Sequence, residues 1–555
     1  MRVNRRAALA IAGVLAMATL AACGGGGSSA SANTGVLNVG MPNGPLTDNN
    51  NPFLPSSASA SLGYRYVIYE PLVMLNPVRP TDPGKPWLAT KWSWNTNYTT
   101  LTATIRNNVT WSDGQKMTAQ DVAFTFDLMK THAALNTNAL PISSTSVNGD
   151  EAVINFSSPQ FVNQYKILGD TVIVPQHIWS KMSDPTTDPV TKPVGTGPYT
   201  LKSFTAQTVV LDERSGYWQT APQVKELRYT SYNDNNAQTT ALANGAAEWS
   251  FVFIPNAKAV YEAKDPAHNK LWFPAILGIH GLWFNTTKAP LNDPTLRKAI
   301  AMVINRHDIF QEGEDGYFYP EVTNITGIPT PTGNAFLAPQ YKSSNVTVDV
   351  AGAKKMLTDA GYKYNGNTLM TPSGKPVTFT LSDPAGWSDY QTDLAIIKDN
   401  LSQIGIDANV DKANEDVWTK NVDTGQFDAV MHWTNNGATP YDIFETIMDG
   451  ALYKPVGTGG VNGDYGRFND PQATAALKQY ADATTDAART AAMNTIQQIM
   501  VDKMPMVPTS AANDGGEYST KHWVGWPSAD NPYAPAQPTL PNAIDILLHL
   551  KPATS

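Results

Sequence analysis

Four clusters of aromatic and amide residues are the part of this sequence whose chemistry best suits the binding of an uncharged molecule. Aromatic rings pack against the apolar face of a sugar or of a peptide side chain and lose little rotamer entropy. Side-chain amides both donate and accept hydrogen bonds. The residues predicted to make such contacts are Asn51, Phe53, Phe251, Phe253, Trp387, Trp418, Trp433, Asn435 and Asn436. Packing in a core is the alternative for any single ring, but most of these residues occur in polar, loop-like segments.

Sequence patterns that would indicate catalysis are absent. The chain contains no Gly-x-x-x-x-Gly-Lys-Ser/Thr phosphate loop, no Gly-x-Ser-x-Gly elbow and no His-Glu-x-x-His helix. Its eight histidines are scattered without ligand spacing, and His432 beside Trp433 fits a structural histidine better than a metal ligand. A glycosidase would need two carboxylates at a set separation across a sugar, and pairs such as Asp442 with Glu445 leave that alternative open. We therefore predict a protein that is not an enzyme and that holds no cofactor and no metal.

Short strands and helices must position these residues. Residues 282–285 form an apolar, aromatic run that predicts a buried strand. Asp293-Pro294 then predicts the N-cap and first turn of a helix whose apolar residues recur at helical spacing. Residues 101–105 alternate between apolar and polar, as in a half-buried strand. Thr118 with Asp121 predicts a capping box at the start of another helix.

The first 32 residues are typical of an export and anchoring signal. A basic start precedes residues 7–20, an apolar stretch that is too short to span a bilayer comfortably. Leu20-Ala21-Ala22-Cys23 matches the bacterial lipobox, so we predict a lipoprotein signal peptide over residues 1–22 and lipidation of Cys23. Residues 23–32 form a Gly/Ser-rich tether. An ordinary secretory signal with an accidental cysteine is the alternative.

Composition excludes several classes of protein. Cys23 is the only cysteine, which rules out disulfides and cysteine-based metal sites in the mature body. The formal net charge of −9 argues against a nucleic-acid partner, and no basic cluster contradicts it. The 555-residue chain is too long for one core, so two or more lobes are expected.

Five motifs occur in an order that resembles a known family. The resemblance is to extracellular solute-binding protein family 5, the substrate-binding lipoproteins of peptide and oligosaccharide ABC importers. It extends over essentially the whole mature chain. The motifs are Leu88-Ala89 through Trp111-Ser112-Asp113-Gly114 to Thr118-Ala119-Gln120-Asp121-Val122, and then residues 194–201, 285–306, 353–362 and 427–433.

The resemblance implies an α/β, two-lobed periplasmic-binding-protein fold, large and type II-like, with an extra subdomain inserted in lobe 1. Residues 281–308 match the point where family members cross between lobes. A chain that crosses more than once suits rigid-body closure. The implied boundaries are 33–75, 192–281 and 503–555 for lobe 1, 76–191 for the inserted subdomain, and 282–502 for lobe 2.

The resemblance also implies the function. We expect a monomer that captures a small oligomeric ligand outside the cytoplasm and delivers it to ABC permease subunits, while a lipid anchor holds it at the membrane on the periplasmic side or the cell surface. No nucleic acid is involved. The alternatives are a surface-anchored hydrolase of the same oligomers and an adhesive lipoprotein without a transport role.

Two features favour an oligosaccharide ligand over an oligopeptide. In peptide-binding members, the loop after the tryptophan that matches Trp433 carries an aspartate for the peptide's α-amine, whereas this chain has Asn436 there. An amide lacks the charge that offsets burial of an ammonium group, a loss of about 2–5 kcal/mol. In addition, residues 248–255 with 263–266 after them, and residues 523–534, resemble the branch that binds cello-type and related β-linked oligosaccharides.

Overall fold

Two mixed β-sheets with helices on their faces organise residues 35–554, the part of the chain that the computed structural model describes. One sheet has seven strands and belongs to the first lobe, and the other has five strands and belongs to the second. The predicted α/β class is therefore confirmed. The predicted signal peptide (1–22), the lipidation site Cys23 and the tether (23–32) lie outside the described residues.

The chain first builds most of lobe 1 and its inserted subdomain. The strands are β1 (Val36–Met41), β2 (Val73–Met74), β3 (Lys85–Pro86), β4 (Ala89–Trp94), β5 (Thr100–Ile105), β6 (Ile142–Asn148), β7 (Glu151–Phe156), β8 (Tyr199–Phe204), β9 (Thr208–Glu213), β10 (Glu226–Ser231), β11 (Trp249–Ser250) and β12 (Asn269–Trp272). The helices are α1 (Ala58–Ser61), α2 (Arg65–Ile68), α3 (Ala119–Thr131), α4 (Gln176–Trp179), α5 (Asn235–Ala243) and α6 (Ala257–Val260).

The inserted subdomain is a four-stranded antiparallel sheet in the order β4-β5-β7-β6, with α3 packed against β6 and β7. Leu101, Ala103 and Ile105 of β5 are buried, as their alternation with polar residues predicts. Thr118 and Asp121 form the predicted capping box, in which each side chain bonds the other residue's backbone N–H. This cap fixes the start of α3.

The chain then builds lobe 2. The strands are β13 (Ala275–Phe284), β14 (Lys363–Asn365), β15 (Thr368–Met370), β16 (Thr378–Pro384), β17 (Asp407–Ala413), β18 (Ala429–Trp433) and β19 (Met506–Asn513). The helices are α7 (Pro294–Val303), α8 (Arg306–Asp308), α9 (Val350–Asp359), α10 (Ser388–Ser402), α11 (Glu415–Thr424), α12 (Tyr441–Met448), α13 (Pro471–Asp482) and α14 (Asp486–Lys503).

Strand β13 is the centre of the five-stranded sheet, whose order is β17-β16-β18-β13-β19. Strands β18 and β19 flank it and helix α12 packs against it, and nine of its ten residues are buried. The helix predicted after it begins where expected, because the Asp293 side chain accepts from the backbone N–H of Thr295 and Pro294 occupies the first helical position. Helix α7 buries the predicted apolar stripe against α9, α14 and β19.

The last segment returns to lobe 1. It comprises β20 (Gly516–Ser519), β21 (Trp523–Val524), α15 (Ala543–His549) and β22 (Lys551–Pro552). Strand β20 completes the seven-stranded sheet, whose order is β12-β20-β11-β1-β10-β9-β8. Trp523 and Trp526 pack in the lobe 1 core, and Trp523 donates its indole N–H to the carbonyl of Val36. Within residues 35–554, no helix combines the length and the apolar character that crossing a membrane requires.

Two adjacent segments connect the lobes. The chain leaves the first sheet after Trp272 and joins the second at Ala275, and it returns between Asn513 and Gly516. These positions differ from the predicted boundaries after residues 281 and 502. The reason is that β13 and β19 pair with each other as part of the second sheet, starting from Ala275 opposite Asn513. Glycines within β13 interrupt its apolar pattern, so the sequence revealed only the strand's second half.

Candidate binding cleft

The first and second lobes enclose a cavity of about 550 Å³ next to the crossing segments. Lobe 1 contributes Phe251 and Phe253, which follow β11. Lobe 2 contributes His280 from β13, Trp387 before α10 and Trp433 at the end of β18. Because residues of both lobes line it, the volume of this cavity depends on how far the lobes are closed.

A second cavity of about 680 Å³ continues from the first towards the inserted subdomain. The two cavities share Trp433, Thr434 and Asn436, so they form one cleft. On the side of the insertion it is lined by residues 137–139 and by five residues between 162 and 170, and the opposite side consists of lobe 2 residues around Asn435 and Asp442. The combined space exceeds that of a typical small-molecule pocket and suits an extended ligand.

Successive side chains of residues 251–254 point to opposite sides of the backbone, and this places two aromatic rings of lobe 1 on the cavity wall. Val252 and Ile254 are buried, so Phe251 and Phe253 point to the opposite side, into the cavity. Phe253 stacks on Tyr317 with ring planes 7° apart, and the ring centroids of Phe251 and Phe318 are 5.6 Å apart. The two phenylalanines are therefore supported from behind by other rings, which limits their motion.

The wall of lobe 2 is a stack that ends in Trp433. Residues 429–432 of β18 are buried, whereas Trp433 is 41% exposed. The ring centroids of Trp433 and His432 are 4.2 Å apart and their planes differ by 15°. His432 stacks in turn on Trp418. Trp387 meets Trp418 edge to face at 4.9 Å. Burial lowers the pKa of His432 to about 4, so at neutral pH this residue is an uncharged ring within the stack.

Asn435 and Asn436 follow directly in the chain and are exposed in the cleft. The backbone N–H of Asn435 donates to the Thr446 hydroxyl at 3.1 Å, which fixes the loop. Among residues 35–554, neither side-chain amide has a hydrogen-bond partner. Both amides are therefore available to donate to and accept from a ligand.

The end of the cleft near the insertion is charged. One π-helical turn, Lys166–Asp170, places two charged side chains on the cavity surface. Lys166 crosses to lobe 2 and pairs with Asp442 at 3.1 Å. Burial alone would lower the pKa of Lys166, but the charges of Asp442 and Glu445 raise it. Burial raises the pKa of Asp170 to about 6 and that of Glu445 to about 7.

Three predicted contact residues do not line the two main cavities. Asn51 is fully buried and donates to the carbonyls of Pro185 and Asp188, so it ties two loops of lobe 1 together. Phe53 packs edge to face on Trp179 and borders a separate cavity of about 130 Å³. Trp418 is 4% exposed and lies behind the Trp387 and Trp433 rings, where it supports them.

The other predicted residues meet in the cleft, together with several that sequence reasoning missed. Tyr319 stacks on His280 at 3.9 Å, and burial lowers the pKa of His280 to about 3, so this histidine is neutral. The run Tyr317-Phe318-Tyr319 was visible in the sequence as an aromatic segment. Asp514 and Gln537 had no such signal, because they lie in short links between elements. In the described part of the chain, no group of three His, Cys, Asp or Glu residues is arranged to hold a metal ion.

Comparisons with known proteins agree with this architecture. The family model described as "Bacterial extracellular solute-binding proteins, family 5 Middle" matches residues 84–453. The periplasmic murein peptide-binding protein MppA of Escherichia coli K12 is 24% identical over 500 residues, which cover 84% of this chain and 86% of that protein.

Solved structures extend the similarity in fold to nearly the whole chain. A periplasmic oligopeptide-binding protein of an oligopeptide ABC transporter from Thermotoga maritima is similar with a TM-score of 0.83 at 23% identity, covering 93% of this chain and 99% of that one. The mannohexaose-bound structure of that Thermotoga maritima protein gives a TM-score of 0.76 at 23% identity, with 94% and 99% covered.

Proposed function

This chain belongs to the bacterial extracellular solute-binding proteins of family 5, and on that premise we propose that it captures an oligomeric ligand between its two lobes and delivers it to the permease of an ABC importer. The observation that carries the proposal is the aromatic pairing across one cleft. Phe251 and Phe253 of lobe 1 face a cavity that Trp387 and Trp433 of lobe 2 also line. A ligand held by all four rings stabilises the closed arrangement through its greater affinity for that state.

The ligand that we favour is a β-linked oligosaccharide of the cello type. The flat rings suit the apolar faces of successive sugar units. The unpartnered amides of Asn435 and Asn436 suit hydroxyl groups, which both donate and accept. Asn436 also lacks the charge that a buried peptide α-amine would need at that position.

An oligopeptide is the second candidate, and the charged end of the cleft favours it. Lys166 is an amine that would suit a carboxylate, while Asp170 and Glu445 are carboxylates that would suit an amine. Both the murein peptide-binding protein and the oligopeptide-binding protein are named for peptide ligands. A peptide would have to lie with its charged groups at this end.

The mature protein is proposed to act outside the cytoplasm, held at the membrane through lipidated Cys23 and its Gly/Ser tether. The lobes then close about the two segments that join them, 272–275 and 513–516. Labelling with a radioactive lipid precursor tests the anchor, because Cys23→Ala should abolish incorporation.

A binding screen tests the proposed function. We expect cello-oligosaccharides to raise the melting temperature of the protein, because a ligand that binds the folded state stabilises it. Xylo- and manno-oligosaccharides and di- to pentapeptides are the comparison ligands, and isothermal titration provides Kd values for those that respond. Strong shifts with free-amine peptides and none with sugars would contradict the sugar assignment.

The same samples separate binding from hydrolysis. A binding protein returns its oligomer unchanged, so chromatography after long incubation should recover the input chain length. Shortened oligomers would instead favour the surface-anchored hydrolase. The absence of a thermal shift with every sugar and peptide would contradict the capture role itself and leave the adhesive alternative.

A further inference from the structure

The cavity next to the crossing segments is lined by two carboxyl groups and by no cationic side chain of the described part of the chain. Of the residues that line it, Asp389 and Asp514 are acidic, and none of the lysines or arginines among residues 35–554 is included. His280 also lines it, but its pKa of about 3 keeps it neutral. In the adjoining cavity, the single amine of Lys166 is already paired with Asp442.

Asp514 is the carboxyl group of this cavity with the fewest interactions to stabilise it. It lies in the segment that returns from lobe 2 to lobe 1 and is 7% exposed. Within the described residues its carboxylate has no hydrogen-bond or ion-pair partner. Its neighbours are fixed, since Asn513 donates to the carbonyl of Phe318 at 2.6 Å and Gly515 donates to the side chain of Asn513 at 3.0 Å. The carboxylate is thus held against the cavity by its backbone alone.

Burying a carboxylate without a partner is unfavourable unless a donor arrives with the ligand. The rings that share this cavity offer a second attraction for a cation, because aromatic faces carry partial negative charge. Phe251, Tyr319 and Trp433 all line the same space as Asp514. A carboxylate together with aromatic faces is an arrangement that favours an ammonium group.

We propose that this cavity is a subsite for a protonated amine on the ligand, bound by Asp514 and the surrounding aromatic rings. The inference rests on the proposed function, since it takes the cleft to be the ligand site. Hydroxyl groups alone would form hydrogen bonds with the Asp514 carboxyl group but would bring no positive charge to stabilise its ionised form. A bare metal ion is a poor fit, because no group of three candidate ligands exists within residues 35–554.

Two sources supply the same ammonium chemistry. One is an oligosaccharide that contains amino-sugar units, which would keep the stacking contacts proposed above. The other is the free amino group of a peptide, for which Asp514 would supply the charge that Asn436 lacks. The experiment below separates the two sources.

Proton release gives an independent readout. Burial raises the pKa of Asp514 to about 7, and the charge of Asp170 adds to the effect, so much of Asp514 is protonated near neutral pH. An ammonium ligand would lower that pKa and expel the proton. The titratable or charged groups that line the two joined cavities with Asp514 are His280, Tyr319, Asp389, Tyr390, Tyr165, Lys166, Asp170, Asp442 and Glu445.

The test uses the mature chain and ligands that differ only at the amine. We would titrate the protein with cello-oligosaccharide, glucosamine oligosaccharide and N-acetylglucosamine oligosaccharide of equal length, and with peptides whose N-terminus is free or acetylated. Titrations in two buffers of different ionisation enthalpy measure the protons released. The variants are Asp514→Asn, which keeps the shape, and Asn436→Ala as a cleft control.

We expect an amine-bearing ligand to bind at least about tenfold more tightly than its capped or hydroxyl counterpart. Proton release should accompany that ligand alone. Asp514→Asn should abolish the proton release and weaken the amine-bearing ligand more than its neutral counterpart, so that the preference is lost, whereas Asn436→Ala should weaken all ligands alike. Equal affinity for amine and neutral ligands would overturn the subsite and leave the proposed function standing. Failure of every sugar and peptide to bind would overturn the proposed function and this inference with it.

Discussion

Trp433 is the residue whose substitution best distinguishes a role in ligand binding from a role in core packing. It is 41% exposed, so removing its ring costs little core packing, yet the ring borders both cavities of the cleft. We expect Trp433→Ala to weaken ligand binding by about 1.5–3 kcal/mol, or roughly tenfold or more, because the ring's contact area with the ligand is lost. Isothermal titration with the tightest ligand of the screen measures this.

Trp92→Ala is the matched control for that substitution. Trp92 is also half-buried, but it lies on β4 of the inserted subdomain, outside the cleft. The control should keep full affinity even if its melting temperature falls. Equal losses of affinity in both variants would mean that Trp433 acts through general stability and not through contact with the ligand.

Protonation of Glu517 makes the stability of the protein depend on pH. This residue is fully buried on β20, and burial raises its pKa from 4.5 to about 8. Between these values the folded protein keeps the proton and the unfolded chain loses it. The free energy of unfolding that proton binding at Glu517 contributes is therefore fully present below pH 4.5. It is lost progressively as the pH rises through the folded-state pKa of about 8.

Replacing this carboxyl group should reduce the loss of stability between pH 5 and pH 8.5. We expect Glu517→Gln to be more stable than the parent protein at pH 8.5, by on the order of 2–4 kcal/mol, with a smaller difference at pH 5. Melting temperatures at both pH values measure the change. The exposed residue Glu312 supplies the control, since Glu312→Gln should leave the profile of the parent protein in place. Identical profiles for all three proteins would show that the buried carboxyl does not titrate as argued.

At the residue scale, the sequence indicated most of the rings and amides that line the cleft, but it did not indicate where the fold places each of them. Phe251, Phe253, Trp387, Trp433, Asn435 and Asn436 all line the cleft. Asn51 does not, because a polar loop looks the same in sequence whether its amides face solvent or bond other loops. Asp514 was not predicted because its importance comes from burial beside a cavity that only the assembled lobes create.

At the scale of elements, helix α7 depends on one carboxylate. The Asp293 side chain accepts from the backbone N–H of Thr295 at 2.8 Å and from the hydroxyl of Tyr362 at 2.7 Å. We expect Asp293→Ala to destabilise the protein by about 1–2 kcal/mol, because the N-cap and a partner of a nearly buried phenol are lost together. The measurement is the urea midpoint followed by circular dichroism. Asp293→Asn retains a capping side chain and should recover most of the loss, and an alanine variant as stable as the parent would refute the assigned role.

The start of this helix was predictable because capping is local, whereas the extent of β13 was not. Asp293-Pro294 specifies the helix start within two residues. Strand β13 instead extends back to Ala275, because it pairs with β18 and β19, which lie far along the chain. Gly281 within it has space for no side chain, since a Cβ there would lie 2.2 Å from the carbonyl oxygen of Val507. In the sequence, the only sign of this close approach between two distant strands is a single glycine.

At the scale of the whole molecule, contacts across the lobes far from the crossing segments bear on closure. The Arg489 guanidinium of α14 lies 3.7 Å from the ring centroid of Phe161 and 5.3 Å from that of Tyr98, both in the inserted subdomain. Lys166 and Asp442 add an ion pair between the same two bodies. Both contacts join the inserted subdomain to lobe 2, so they stabilise an arrangement in which these two bodies lie close together.

Phe161→Ala tests how much this contact contributes to closure. A cation–π contact of this kind is worth about 0.5–2 kcal/mol, so its loss should shift the population towards the open state by roughly twofold to thirtyfold. We expect small-angle scattering to give a larger radius of gyration for the ligand-free variant, and saturating ligand to restore the parent value. Affinity for every ligand should fall by a similar factor, because the change affects closure and not recognition. Phe204→Ala, on β8 of lobe 1 and also half-buried, is the control and should alter neither quantity. If the Phe161 variant scatters like the parent protein without ligand, the contact does not hold the lobes together, and closure depends on the ligand and the crossing segments alone.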